Sequence, residues 1–285
     1  MTQTEGDFMQ VQSVPFSSIL GMGVSFVIAL GLSIAVLLYG RKKLDARFVS
    51  FVFGCVVYYA IAKLVEPFLN VTILTFIGSA VTGSVVVYAV YAGLLAAILE
   101  EGARFYAIKS LVKPMDEKNA WMFGAGFGAL EALLLVALPN VSSILNSTLI
   151  NNGIMQQSLD QLKDPELTST FRAIEPLWTT APATFWAAGV ERALILAMHI
   201  CLSLLLYFYL KTGDRRHLFV PFGVHLVVVA ASTILTRSAG AVVSVVFTAV
   251  VVAALIWWAR KVQLENREPE NELLPAGVST EGREA

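Results

Sequence analysis

Apolar residues run through the chain in stretches of about twenty, the length an α-helix needs to cross the hydrocarbon core of a bilayer. Seven stretches read as spanning helices, here helices 1 to 7. They are approximately Ser17–Tyr39, Phe48–Val65, Val81–Ile108, Ala120–Leu138, Ala183–Leu210, Leu218–Leu235 and Ala239–Ala259. An eighth stretch, Pro67–Ala80, is short for a crossing and opens on proline, so it reads as a re-entrant or interfacial element. The pattern predicts an all-α polytopic transmembrane bundle. A single membrane domain would cover residues 1–263, with its chemistry-bearing core at 81–236, and the charged segment 264–285 has the composition of a disordered tail.

The polar clusters between the stretches set an orientation. Arg41, Lys42, Lys43 and Arg47 follow helix 1; Lys113 and Lys118 lie between helices 3 and 4; Lys211, Arg215 and Arg216 lie between 5 and 6; Arg260 and Lys261 follow helix 7. Lys and Arg gather on the cytoplasmic side, so the N-terminus is expected outside and the C-terminus in the cytoplasm of a multi-pass cell-membrane protein. The one long connection, Pro139–Pro182, is rich in Ser, Asn, Gln and Thr and falls on the outer side. It reads as a solvated loop, or as a cap carrying a helical piece near Ser142–Leu162.

Composition agrees with lipid as the solvent: 56% of the 285 residues are hydrophobic and 14% charged, against about 25% charged in a soluble domain. The formal net charge of -1 gives no footprint for nucleic acid. Cys55 and Cys201 both lie in apolar runs, so they carry no disulfide framework. The first sixteen residues hold no Lys or Arg, so helix 1 does not read as a cleaved signal peptide and is expected to be retained.

Against that background the ionisable residues inside the helices stand out, because each costs about 2.5–3.5 kcal/mol to insert at a helix centre. Helix 3 carries Glu100, Glu101 and Arg104, helix 4 Glu131, helix 5 Glu191, Arg192 and His199, and helix 6 His225. Counted from the basic helix ends, Glu101, His225, His199 and Glu131 lie about 12 to 20 Å deep, close enough in height for tilted helices to hold them in one layer. Arg104 sits three and four residues after the two glutamates, within reach of either. Arg192, His199 and Ser203 form one stripe, and Gly124 and Gly128 make a close-packing face one turn before Glu131. Glu191 and Arg192 lie nearer the outer side and read as a structural ion pair.

Two His and a Glu with an open position suit catalytic zinc, and a further, unligated Glu suits a general base for the metal-bound water. The same residue types also suit a proton relay of a small transporter, although no repeat relates the halves of the chain. A lone His donating to a helix backbone or to Ser203 would equally account for His199.

Glu100-Glu101-x-x-Arg104, Phe127-x-x-x-Glu131, Glu191-Arg192-Ala193 followed by His199 and Ser203, and the late His225 together resemble the YhfC family. That family lies in the clan that also holds type II CAAX prenyl endopeptidases and PrsW-like peptidases, and the resemblance spans roughly residues 97–232. It implies an intramembrane metal-dependent endopeptidase acting on a protein or peptide substrate. Glu100 or Glu101, neutralised in part by Arg104, would activate water, and Glu131, His199 and His225 would hold a divalent metal, zinc by the donor types. Two positions depart from the pattern. Phe127 stands where such proteins often carry His, and Val229 stands where the element opened by His225 would end in Asp or Asn. The alternative they favour is a catalytically impaired scaffold that binds a partner helix in the same groove.

Overall fold

The computed structural model describes residues 10–266, and within them the chain is helical, with no strand. Seven helices are long and apolar enough to cross a membrane: Phe16–Lys42, Phe48–Thr82, Val85–Ser110, Glu117–Asn151, Pro182–Thr212, Arg216–Ala239 and Ala241–Glu265. They are helices 1 to 7 of the sequence. The chain is a polytopic all-α membrane bundle.

Helix ends follow local chemistry. Asp116 caps helix 4 by accepting from the Asn119 backbone N–H at 2.8 Å, and Ser84 caps helix 3 through the Val87 N–H. Gly213, with φ of 75°, ends helix 5 in the left-handed conformation that glycine adopts without a Cβ clash. Helices 4 and 5 form the axis, with most of their apolar windows inside the protein, whereas helices 2, 6 and 7 turn most of theirs to lipid. The axis closes through Gly124 and Gly128: a Cβ on Gly124 would stand 2.7 Å from the His199 carbonyl oxygen, and one on Gly128 2.9 Å from Leu196 Cα. The expected packing step is therefore the contact that brings helix 5, with His199, against helix 4.

Two expectations need correction. Pro67–Ala80 is not a re-entrant element; it continues helix 2, which runs unbroken to Thr82. Proline removes one backbone hydrogen bond and crowds the preceding turn. The chain absorbs this in a π-helical turn at Tyr59–Val65, directly before the segment that starts at Glu66 with Pro67 in its first turn. The connection 139–182 is not a solvated loop either. Helix 4 carries on to Asn151, and three short helices follow, at Ile154–Leu159, Glu166–Ile174 and Pro176–Thr179. They close over an apolar cluster of Val14, Met22, Ile150, Leu159, Ile174 and Leu177. Asn151 ties this cap to the N-terminal segment, its side chain accepting from Val14 N–H at 2.8 Å and donating to Val14 C=O at 3.1 Å. Of the expected tail, residues 264 and 265 belong to helix 7, and 267–285 lie outside the described residues.

Candidate intramembrane active site

Among the described residues three π-helical turns interrupt the bundle: Tyr59–Val65 in helix 2, Ala97–Glu101 in helix 3 and Leu133–Ala137 in helix 4. Each adjoins ionisable residues that face one cavity of about 330 Å³. An extra residue in a helical turn re-aims the side chains around it, which is why such turns collect at functional sites. Here the turn in helix 3 carries both Glu100 and Glu101 inward, at 7% and 0% exposure.

The polar side chains form a continuous chain across helices 3, 4, 5 and 6. Arg192 donates to Glu131 at 2.6 Å and contacts Glu191 at 3.3 Å. The other Glu131 oxygen meets His199 Nε2 at 2.5 Å. His199 Nδ1 faces an Arg104 nitrogen at 2.8 Å, and Arg104 also donates to the His199 carbonyl at 3.1 Å and to Ser203 Oγ at 3.0 Å. Arg104 Nε lies 3.0 Å from Glu101 Oε2, an ion pair away from hydrogen-bond geometry, and the guanidinium stacks 4.0 Å over the Phe127 ring. Glu101 Oε1 then accepts from His225 Nδ1 at 2.7 Å, and His225 Nε2 points toward Glu100 Oε2 across 3.7 Å.

Elementary donor and acceptor rules assign the protons. A guanidinium only donates, so His199 Nδ1 accepts, the proton of that neutral ring is on Nε2, and Nε2 donates to Glu131. Glu101 is paired with Arg104, so it accepts and His225 carries its proton on Nδ1, leaving Nε2 directed at Glu100. The two arginines match Glu131 and Glu101 in charge. What remains is His225 beside Glu100, whose Oε2 is buried without a hydrogen-bond partner among the described residues.

The six candidate residues are thus in one layer, Glu100, Glu101 and Arg104 on helix 3, Glu131 on helix 4, His199 on helix 5 and His225 on helix 6. Their arrangement differs from the expected ligand set. Glu131, His199 and His225 do not converge on a point that a cation could occupy, and no three His, Cys, Asp or Glu side chains among the described residues are grouped to hold one. His199 in particular has Nδ1 facing a guanidinium and its Nε2 proton on Glu131, so neither nitrogen has a lone pair free for a metal. As paired here, Glu131, His199 and His225 do not offer a metal the three free donor atoms that the expected set requires.

Arg192 keeps the expected pair with Glu191 and also enters the cavity wall, where it anchors Glu131. Tyr58, Lys63 and Glu66 of helix 2 also line the cavity and were missed. Lys63 and Glu66 are intramembrane charges like the others, but ending helix 2 at Val65 put them at its boundary. Val229 reaches the cavity too and brings no polar side-chain atom to it.

The comparisons with known proteins agree with the motifs. The family described as YhfC intramembrane metalloprotease matches residues 26–252. The Uncharacterized membrane protein YhfC of Bacillus subtilis (strain 168) is 27% identical over 216 residues, which cover 73% of this chain and 81% of that protein. No solved structure matches. With most of helix 1, helices 2 to 6 and about half of helix 7 inside the matched region, and the buried motif residues with them, the chain belongs to the YhfC intramembrane metalloprotease family.

Proposed function

We propose that the protein is an intramembrane endopeptidase that hydrolyses a peptide bond of a protein or peptide substrate in the cavity between helices 2 to 6. The observation that carries this reading is Glu100: a buried carboxylate oxygen with no hydrogen-bond partner, 3.7 Å from an imidazole nitrogen, in the wall of a 330 Å³ cavity. A buried charge without a partner is costly, and persists where a ligand or water completes it.

In this reading Glu100 takes a proton from a water held between it and His225, and the water oxygen bonds to the peptide carbonyl carbon as the π pair moves onto the carbonyl oxygen. Collapse of that intermediate breaks the C–N bond, and Glu100 returns its proton to the leaving nitrogen. Arg104 and Glu101 position His225 from behind. No step runs through a metal, because Glu131, His199 and His225 as paired do not fit one. The Lys and Arg distribution supports a cytoplasmic location for the basic helix ends, with the N-terminus outside and the C-terminus inside.

The test is cleavage of membrane-spanning peptides by the purified full chain in liposomes. Glu100→Gln is expected to lower the rate by about 10²–10⁴ while the folded protein survives. Unchanged cleavage in Glu100→Gln and in Glu101→Gln alike would refute the reading. Val229 favours one rival, a scaffold that seats a partner helix without cutting it. For that rival the wild type binds the peptides, and neither it nor the variants cleave them.

A further inference from the structure

We propose that Tyr58 is the catalytic group that receives the developing oxyanion in this cavity, to whose wall Val229 brings no polar side chain. The inference rests on the peptidase reading above and adds a residue from a helix that none of the motifs includes.

Tyr58 is the last residue of helix 2 before the π-helical turn at Tyr59–Val65, and it lines the same cavity as Glu100, His199 and His225. The residue is 2% exposed, and its ring is fixed on two sides. Phe127 meets it edge-on with ring centroids 5.2 Å apart, and Lys63 Nζ stands 5.7 Å from its centroid. The hydroxyl lies within electrostatic reach of Glu131, Glu100, Arg192 and Glu66, yet makes no hydrogen bond to another described residue. A phenol on a rigid ring, surrounded by charge and left without a partner, is a donor waiting for an acceptor.

Other uncharged donors in the wall are already engaged. Thr233 donates to the Val229 carbonyl at 2.8 Å, and Ser232 pairs with Thr248 at 3.1 Å. Arg192 holds Glu131 and Glu191 with its two terminal nitrogens. Tyr58 keeps its proton throughout: it donates a hydrogen bond to the carbonyl oxygen as negative charge builds there, while the water proton passes through Glu100 to the leaving nitrogen. The bond strengthens only in the intermediate, so it accelerates the reaction without tightening the substrate.

The experiment compares wild type with Tyr58→Phe, which keeps the ring on Phe127 and removes only the hydroxyl, and with Lys63→Met, which removes the neighbouring cation. Two probes are used in liposomes: a cleaved membrane-spanning peptide, and its phosphinic pseudopeptide, a tetrahedral anion in place of the scissile amide. Tyr58→Phe is expected to lower kcat by about 10²–10³ and to weaken the phosphinic probe by a similar factor, with KM and amide-peptide affinity within about twofold. A Tyr58→Phe enzyme that keeps the wild-type preference for the phosphinic probe, or loses only KM, overturns the assignment. So does loss of that preference in Lys63→Met alone. A wild-type protein with no preference for the phosphinic probe over the amide overturns the peptidase reading itself, and this inference with it.

Discussion

The polar layer has two arms that differ in how completely their atoms are paired. In the arm formed by Arg192, Glu131, His199, Arg104 and Ser203, both Glu131 oxygens, both His199 ring nitrogens and the Ser203 hydroxyl are paired at 2.5 to 3.0 Å and the charges are matched, with only the Nε of each arginine outside a hydrogen bond. In the arm formed by His225, Glu100 and Tyr58, the closest approach between titratable groups is 3.7 Å, Glu100 Oε2 has no hydrogen-bond partner, and the phenol hydroxyl has none either. A saturated network holds helices in one register, because any displacement leaves buried charge unpaired. An unsaturated one in a cavity offers its free atoms to a ligand. Both arms consist of residues that look alike in sequence, and the pairing separates the ones that build from the ones that act.

Breaking the saturated arm has the largest expected effect on the fold. Arg104 is fully buried and joins both arms, so Arg104→Met leaves Glu101 as an uncompensated charge. It should destabilise the protein by about 3–5 kcal/mol, read as loss of folded yield and a fall in the detergent unfolding midpoint. Glu100→Gln is the converse: cleavage falls by the factor given above, and the unfolding midpoint stays at the wild-type value. Removing the Glu131 carboxylate is intermediate. Glu131→Ala should lose about 1–3 kcal/mol, and Glu131→Gln less, since an amide still accepts from Arg192 or His199. If Glu131→Gln abolished cleavage at unchanged stability, the saturated arm would be part of the chemistry and the contrast would fail.

Two smaller effects sharpen the contrast. Val229→Asn adds a polar group to the cavity wall where Tyr58 already supplies one, and should change kcat by less than about tenfold. Extensive dialysis against a chelator should leave cleavage unchanged, because His199 is committed to Arg104 and Glu131. A metal bound at one equivalent per chain and lost in His199→Ala would show that Arg104 gives way to it.

The seven crossings, the candidate residues on helices 3 to 6 and the packing face at Gly124 and Gly128 were legible in the chain, because span length, the cost of intramembrane charge and small-residue spacing are properties of local sequence. Family likeness was legible for the same reason, as motifs on single helices. Three things were decided only by the assembled bundle. Helix 2 runs through Pro67 because a π-helical turn absorbs the lost hydrogen bond, and that brings Tyr58, Lys63 and Glu66 to the cavity. The polar segment 139–182 folds into a cap because the N-terminal segment and helix 1 supply apolar partners that are distant in sequence. His199 faces an arginine and a carboxylate, and Glu100 faces a gap, because proton and charge assignments depend on which side chains meet across helices. A sequence lists donors and acceptors, but their pairing is a property of three-dimensional distance.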